Sequence, residues 1–207
     1  TLGCRVNQYD TDAMKGLFLQ HDYEAVVFDS KADIYGINTC SVTNMWEKKS
    51  RQLIRKAKLP TQDAYVIVTS CDTQLDPDAI AAIDGVNLVI GTNNRSKIVE
   101  LVEQLETTER QINAVRDIMK ESNFEEMPLF GNESDKARAF MKIQEGCNNY
   151  CSFCIIPYTR GKLKSRKIED IVEEAKRLVD HGFHEIVLTG IHLGNYGVEL
   201  PGRPTLA

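Results

Sequence analysis

Three cysteines, Cys147, Cys151 and Cys154, follow one another with CxxxCxxC spacing, and three more, Cys4, Cys40 and Cys71, stand far from them and from each other. Three thiolates on one short loop suffice for three corners of a cubane iron-sulfur cluster, and with no fourth cysteine nearby one iron is left open for a ligand. Zinc sites usually pair CxxC knuckles and complete four ligands with Cys or His. The surrounding EGCNNYCSFCIIPYTRG has no His and no second knuckle, so zinc is the weaker alternative. A disulfide loop would need an oxidising compartment. Nothing in the 207 residues looks like a secretory signal or a membrane span, which makes the cytoplasm the default expectation.

The elements that must position these thiols divide into two runs. Up to about residue 106, Ile34 to Asn38, Tyr65 to Thr69 and Val86 to Ile90 read as strands, and Asp10 to His21, Thr43 to Leu59, Pro77 to Ile83 and Asn94 to Glu106 as helices. This is βαβ alternation, which predicts an open parallel sheet with covering helices. Cys40 and Cys71 then fall just past two strands, and Cys4 follows Thr1-Leu2, the tail of a first strand. All three are expected at the carboxyl edge of the sheet, where open α/β sheets bind ligands. Gly3, Asn7, Asn38, Thr39, Ser41, Ser70 and Thr73 beside them would allow close backbone approach and donate hydrogen bonds to sulfur. A buried thiol is the common fate of a lone cysteine, and three in register favour a shared metal site instead.

Residues 107–137 break the rhythm, with rising charge and turn signals at Pro128, Gly131 and Asn132. The first part of the segment offers helical spacing at Ile112, Val115, Ile118 and Met119. Domains of 1–106 and 138–207 joined by a 107–137 linker are expected. In the second, Ala139 to Ile143 reads as a strand ending just before the CxxxCxxC loop, Ile168 to His181 as a helix capped by Gly182, and Glu185 to Thr189 as the next strand. The cysteine loop and the Gly-rich Gly190 to Gly197 would share the edge that carries chemistry in parallel α/β barrels. The α/β class thus comprises an open parallel sheet followed by the start of a (β/α) partial barrel.

Composition sets outer limits. With 42% hydrophobic and 27% charged residues the chain supports one large or two small cores, and its net charge of -5 argues against nonspecific coating of nucleic acid. Basic residues still cluster at Lys48, Lys49, Arg51, Arg55, Lys56 and Lys58, and at Arg160, Lys162, Lys164, Arg166 and Lys167. Solvated helix faces and loops account for a good part of them. The chain begins at Thr1 without Met and ends at Ala207 shortly after a strand-like run, as a piece of a longer protein would.

EGCNNYCSFCIIPYTRGKLKSR resembles the cluster motif of radical S-adenosylmethionine enzymes, and together with TLGCRVNQYDTD, INTCSVTN and VTSCDTQ it resembles the methylthiotransferase family. LTGIHLGNYG is similar to the branch acting on threonylcarbamoyladenosine in tRNA, more than to those acting on isopentenyladenosine or a ribosomal protein. The resemblance implies two 4Fe-4S clusters: a radical cluster on Cys147, Cys151 and Cys154, whose open iron chelates S-adenosylmethionine, and an auxiliary cluster on Cys4, Cys40 and Cys71. It puts Phe153 near the adenine of that cofactor and Gly190 and its neighbours near its methionine amino group.

The family's scheme cleaves S-adenosylmethionine with an electron from the reduced cluster and uses the 5'-deoxyadenosyl radical to replace the adenine C2 hydrogen by a methylthio group. A second S-adenosylmethionine gives the methyl. The cofactor carries the hard step; no Ser-His-Asp set or carboxylate pair is required, and His21, His181, His184 and His192 are expected on the surface or in packing. tRNA, a flavodoxin-like or similar electron donor and a sulfur cosubstrate are the implied partners. Two departures stand out. The family's GCYAQ has Gly and Tyr beside its cysteine, where Ser70 and Asp72 stand here, with Thr73 for Ala. The later strands of the radical barrel and the C-terminal RNA-binding TRAM domain are also missing, so this piece alone is not expected to turn over. The rival outside the enzymes is a noncatalytic iron-sulfur or zinc module that binds RNA or protein.

Overall fold

The computed structural model describes residues 1–206 except 42, 60, 109, 128 and 130–137, so the expected turn signals Pro128, Gly131 and Asn132 lie outside the described residues. Four parallel strands, β1 (Ile34–Thr39), β2 (Tyr65–Ser70), β3 (Val86–Ile90) and β4 (Ile112–Asn113), lie side by side in that order. Helices α1 (Arg5–Gln20), α2 (Asn44–Ala57), α3 (Cys71–Leu75), α4 (Pro77–Ala81) and α5 (Ile98–Thr108) surround them.

Side-chain alternation gives the sheet two apolar faces. Val66, Val68, Tyr35, Ile37 and Val89 pack with Ile54 and Ala57 of α2 and Ile80 of α4. Ile67, Leu88 and Ile90 turn the other way, against Tyr9, Ala13 and Met14 of α1 and Val102 and Leu105 of α5. Burying a Val, Leu or Ile side chain is worth about 1.5–3 kcal/mol, several times the spread of helix propensities per residue, so this two-sided core decides where the elements lie. Caps set the ends. Thr43 Oγ1 accepts from Trp46 N at 3.4 Å before α2, and Asp76 Oδ1 accepts from Ala79 N at 3.0 Å before α4, whose first residue is Pro77.

Helix α1 begins five residues earlier than the apolar spacing predicts. Its first turns bury polar Asn7 and Asp10, which no hydrophobic period reveals. The helix expected around Ile112 does not form. Ile112 instead pairs with Leu88 on the open edge of β3, and Gln111 Nε2 locks that edge through Ala81 O and Val86 O at 2.7 and 2.8 Å. Residues 114–127 then run without helix and bury Ile118 and Met127.

The second unit pairs β5 (Arg138–Lys142) in parallel with β8 (Glu185–Thr189) across α7 (Ile168–Asp180), over a core of Ala139, Met141, Ile143, Leu178 and Phe183. A short antiparallel pair, β6 (Gln144–Glu145) and β7 (Lys164–Ser165), and the one-turn helix α6 (Ile156–Arg160) bracket the cysteine loop. These pieces, like α3, are too short to show a period in sequence. No helix among the described residues is long and apolar enough to cross a membrane.

Candidate iron-sulfur sites and the seam between them

The three separated cysteines meet at one edge of the first sheet. Cys40 follows β1, Cys71 opens α3 directly after β2, and Cys4 is the N-cap of α1, whose positive dipole end lies there. Thr1-Leu2 is not a strand, but Leu2 N donates to Asn38 O at 3.0 Å and so ties the segment to the end of β1. Gly3, at φ +100°, lies so close that a Cβ there would stand 2.8 Å from Cys40 Sγ. Asn7 links all three loops: its Nδ2 donates to Leu2 O at 2.9 Å and Thr39 O at 2.8 Å, and its Oδ1 accepts from Ser70 Oγ at 3.3 Å. Ser70 Oγ also reaches Cys71 Sγ at 3.8 Å. Cys40 and Cys71 are buried and Cys4 is exposed; none of the six cysteines is in a disulfide.

Ser70 sits at φ 90°, ψ -143°, a region in which glycine alone is comfortable. Ser70→Gly is therefore expected to stabilise the chain by about 1 kcal/mol, a rise of about 2–4 °C in melting temperature for a protein of this size. An unchanged or lower melting temperature would show that the Ser70 hydroxyl bonds outweigh the strain. Next to it, burial pushes the Asp72 carboxyl up to about 6, with Glu47 adding and Arg51 opposing.

The CxxxCxxC loop leaves the carboxyl end of the second unit's first strand. Gly146, at φ +70°, admits no side chain, because a Cβ would fall 1.9 Å from Lys162 O. Cys147 is buried and its N donates to Gly161 O at 3.1 Å; Cys151 is exposed and Cys154 half-buried. Phe153 stands 91% exposed beside them. The Gly190 loop comes against the approach to this loop. A Cβ on Gly190 would meet Gln144 Cβ at 2.9 Å. Buried Gln144 holds the two together: its Oε1 accepts from Ile191 N at 2.8 Å and His192 N at 2.7 Å, and its Nε2 donates to Glu145 O at 2.9 Å and Gly146 O at 2.8 Å. His192 also approaches Asn149 of the cysteine loop at 3.3 Å, whereas the His21 and His181 rings bond backbone carbonyls of their own helices.

Between the two cysteine sets lies a buried ionic seam. Asp10 of α1 bonds Arg95 Nη1 at 2.5 Å and Lys142 Nζ at 2.6 Å, and Arg160 Nη1 and Nη2 lie at 3.4 and 3.5 Å. Glu145 pairs with Arg160 Nη1 and, at 3.2 Å, with Lys142. Glu125, from the expected linker, bonds Arg95 Nε at 3.2 Å. Burial alone would raise the Asp10 carboxyl, but Arg95, Lys142 and Arg160 hold it below its ordinary range, and Lys142, Arg160 and Arg95 do the same for Glu145. For Arg160 burial works against the charge; Cys71, Glu145, Asp10 and Cys4 overcome it and keep the guanidinium protonated far beyond its usual range.

The seam accounts for much of the second basic cluster. Arg160, Lys164 and Arg166 are buried, Arg166 between Glu174 at 2.5 Å and Glu126 at 2.7 Å, and only Lys162 and Lys167 of the five face solvent. Asp10, Arg95 and Gln144 escaped sequence reasoning. One signal was available: Lys142 interrupts the apolar strand AFMKI at a position that must carry a buried partner.

Residues 1–91 match uncharacterized protein family UPF0004, and residues 141–195 match the radical SAM superfamily. Over 202 residues the chain is 48% identical to threonylcarbamoyladenosine tRNA methylthiotransferase MtaB of Bacillus subtilis (strain 168), covering 97% of this chain and 44% of that protein. Over nearly all of its residues the chain is thus similar to part of a radical S-adenosylmethionine methylthiotransferase. The protein of the same name from Aquifex aeolicus (strain VF5) is 43% identical over 95% of this chain and 48% of its own length. Ribosomal protein uS12 methylthiotransferase RimO of Parasynechococcus marenigrum (strain WH8102) is 36% identical over 100% of this chain and 44% of its own. The chain thus spans less than half the length of these methylthiotransferases.

The match to the radical SAM superfamily implies that cofactor and an iron-sulfur cluster. The residues fit such a group. Among the described residues no three His, Cys, Asp or Glu side chains are close enough to share one metal ion. A cubane takes each thiolate on a different iron, so its thiolates need not meet. Around Cys4, Cys40 and Cys71 the close approach at Gly3 and the Arg160 guanidinium, whose Nη2 donates to Asn7 Oδ1 where the three loops are tied, suit an anionic sulfur-rich occupant.

Proposed function

We propose that this chain is the cluster-bearing portion of a methylthiotransferase that places a methylthio group on C2 of N6-threonylcarbamoyladenosine beside the anticodon of tRNA. The observation that carries the reading is the presence of two three-cysteine sets, each at the carboxyl edge of its own parallel strands and facing one buried seam. The relatives named for that tRNA nucleoside, at 36–48% identity, favour it over the uS12 ribosomal protein as substrate.

In this reading Cys147, Cys151 and Cys154 hold a 4Fe-4S cluster, Cys4, Cys40 and Cys71 hold a second, and Phe153 and Gly190 border S-adenosylmethionine. When bound, these groups supply one-electron chemistry that no side chain here can supply. The chain's own part is positional. Gln144 fixes the Gly190 loop against the first cluster loop, Asn7 fixes the three loops of the second, and the seam sets one site against the other. Residues 1–106 carry the auxiliary site and 138–207 the radical site, with 107–137 as the linker in sequence. The protein acts in the cytoplasm, with a flavodoxin-like or similar reductant and a sulfur cosubstrate as partners.

The test is to give the full-length protein tRNAs that differ only in carrying threonylcarbamoyladenosine or isopentenyladenosine, with uS12 as a third substrate, and to read products by mass spectrometry. Methylthio product on threonylcarbamoyladenosine alone is expected; product only on isopentenyladenosine or uS12 would overturn the assignment.

A further inference from the structure

Arg160 belongs by sequence to the radical half, six residues beyond Cys154, yet its guanidinium reaches Asn7, which ties the loops of the other cysteine set. Its Nη2 donates to Asn7 Oδ1, the same oxygen that accepts from Ser70 Oγ beside Cys71. Cys71 and Cys4 are both within electrostatic range of it. Glu145 pairs with Arg160 through Nη1 alone, and Asp10 sits nearer to Arg95 and Lys142, at 2.5 and 2.6 Å, than to Arg160 at 3.4 Å, so Nη2 is left to reach Asn7. The Nε donor is fully enclosed and without a partner. A buried donor on a charged group left unsatisfied costs more than the roughly 1–3 kcal/mol of a neutral one, and Arg95 Nη2 across the seam is in the same position, so it is the Asn7 contact that sets Arg160 apart.

We propose that Arg160 is a positioning residue for a cluster held by Cys4, Cys40 and Cys71: delivered by the radical half, its charge and buried Nε favour the reduced, more negative state of that cluster. This rests on the auxiliary-cluster reading given above. The auxiliary site is then complete only when the two halves are docked. Arg95 is the natural comparison, since it contacts the same Asp10 and Glu145 but not the Asn7 linkage.

The experiment uses the full-length protein with Cys147, Cys151 and Cys154 changed to Ala, so that only the auxiliary cluster assembles on anaerobic reconstitution. Iron per chain is measured, and the cluster is titrated with dithionite under electron paramagnetic resonance, in this parent and with Arg160→Met, Arg160→Lys or Arg95→Met added. Arg160→Met is expected to weaken reduction at least tenfold, about 59 mV for one electron. Arg160→Lys should recover most of the shift, and Arg95→Met should change the equilibrium less than about twofold, under 20 mV by the same constant. Loss of iron in Arg160→Met alone, with iron kept in the other two, also supports the proposal. Where Arg160→Met does not fold, Arg160→Met with Glu145→Gln restores the charge balance of the seam and is titrated in its place. An unshifted potential in an iron-loaded Arg160→Met protein, or equal effects of Arg160→Met and Arg95→Met, would overturn it. A parent that gathers no iron would instead remove the auxiliary cluster itself, and the inference with it.

Discussion

Changing Cys4, Cys40 and Cys71 together to Ala is expected to lower the iron bound per reconstituted chain from about eight to about four, with acid-labile sulfide falling in parallel. The three thiols sit on separate loops that Asn7 ties together, so the protein has no reason to gather them unless they act jointly. The complementary change of Cys147, Cys151 and Cys154 should also leave about four irons but abolish reductive cleavage of S-adenosylmethionine. About four irons in both the parent and the Cys4, Cys40 and Cys71 variant would make these thiols structural. The methylthiotransferase mechanism would then lose its second centre.

The second large effect is expected at Asp10. Asp10→Ala leaves Arg95 and Lys142 buried without their nearest carboxylate, and breaking one partner out of a buried ion pair typically costs about 3–5 kcal/mol. The pH dependence has a definite sign. Asp10 and Glu145 have carboxyls held below their ordinary values. Their stabilisation is therefore complete above the ordinary carboxylate range, roughly pH 4–5, and fades as pH falls through the lowered values. Urea midpoints of the full-length protein and Asp10→Ala should differ widely at pH 7 and converge in stronger acid. A pH-independent gap would show that Asp10 acts through packing and not charge.

The placement of Cys40 and Cys71 was legible because Ile34–Thr39 and Tyr65–Ser70 are largely apolar runs, and a cysteine just past such a run can only sit at the carboxyl edge, whereas Cys4 reaches that edge without the strand expected before it. The boundaries of β3 and β8 matched their expected residues for the same reason. The seam was not legible. Asp10 and Arg95 lie 85 residues apart and Asp10 and Arg160 150 apart, and each reads locally as an ordinary surface charge. Arg160, Lys164 and Arg166 were grouped by sign with exposed Lys162, a property that says nothing about partners arriving from another element. The Ile112 helix failed because helical spacing over a few residues competes poorly with the hydrogen bonds offered by an open strand edge.

The ionic seam has a consequence for how such proteins are recombined. Asp10 and Arg95 come from one half, Lys142, Glu145 and Arg160 from the other, and all five are buried. A chimera that joins residues 1–129 of this chain to the remainder of a relative would keep its fold where the relative supplies the same three charges. A neutral residue at one of them would strand a charge in the interior. The two halves are thus heritable as a set, and a crossover in the stretch that joins them is tolerated only between parents that match across it.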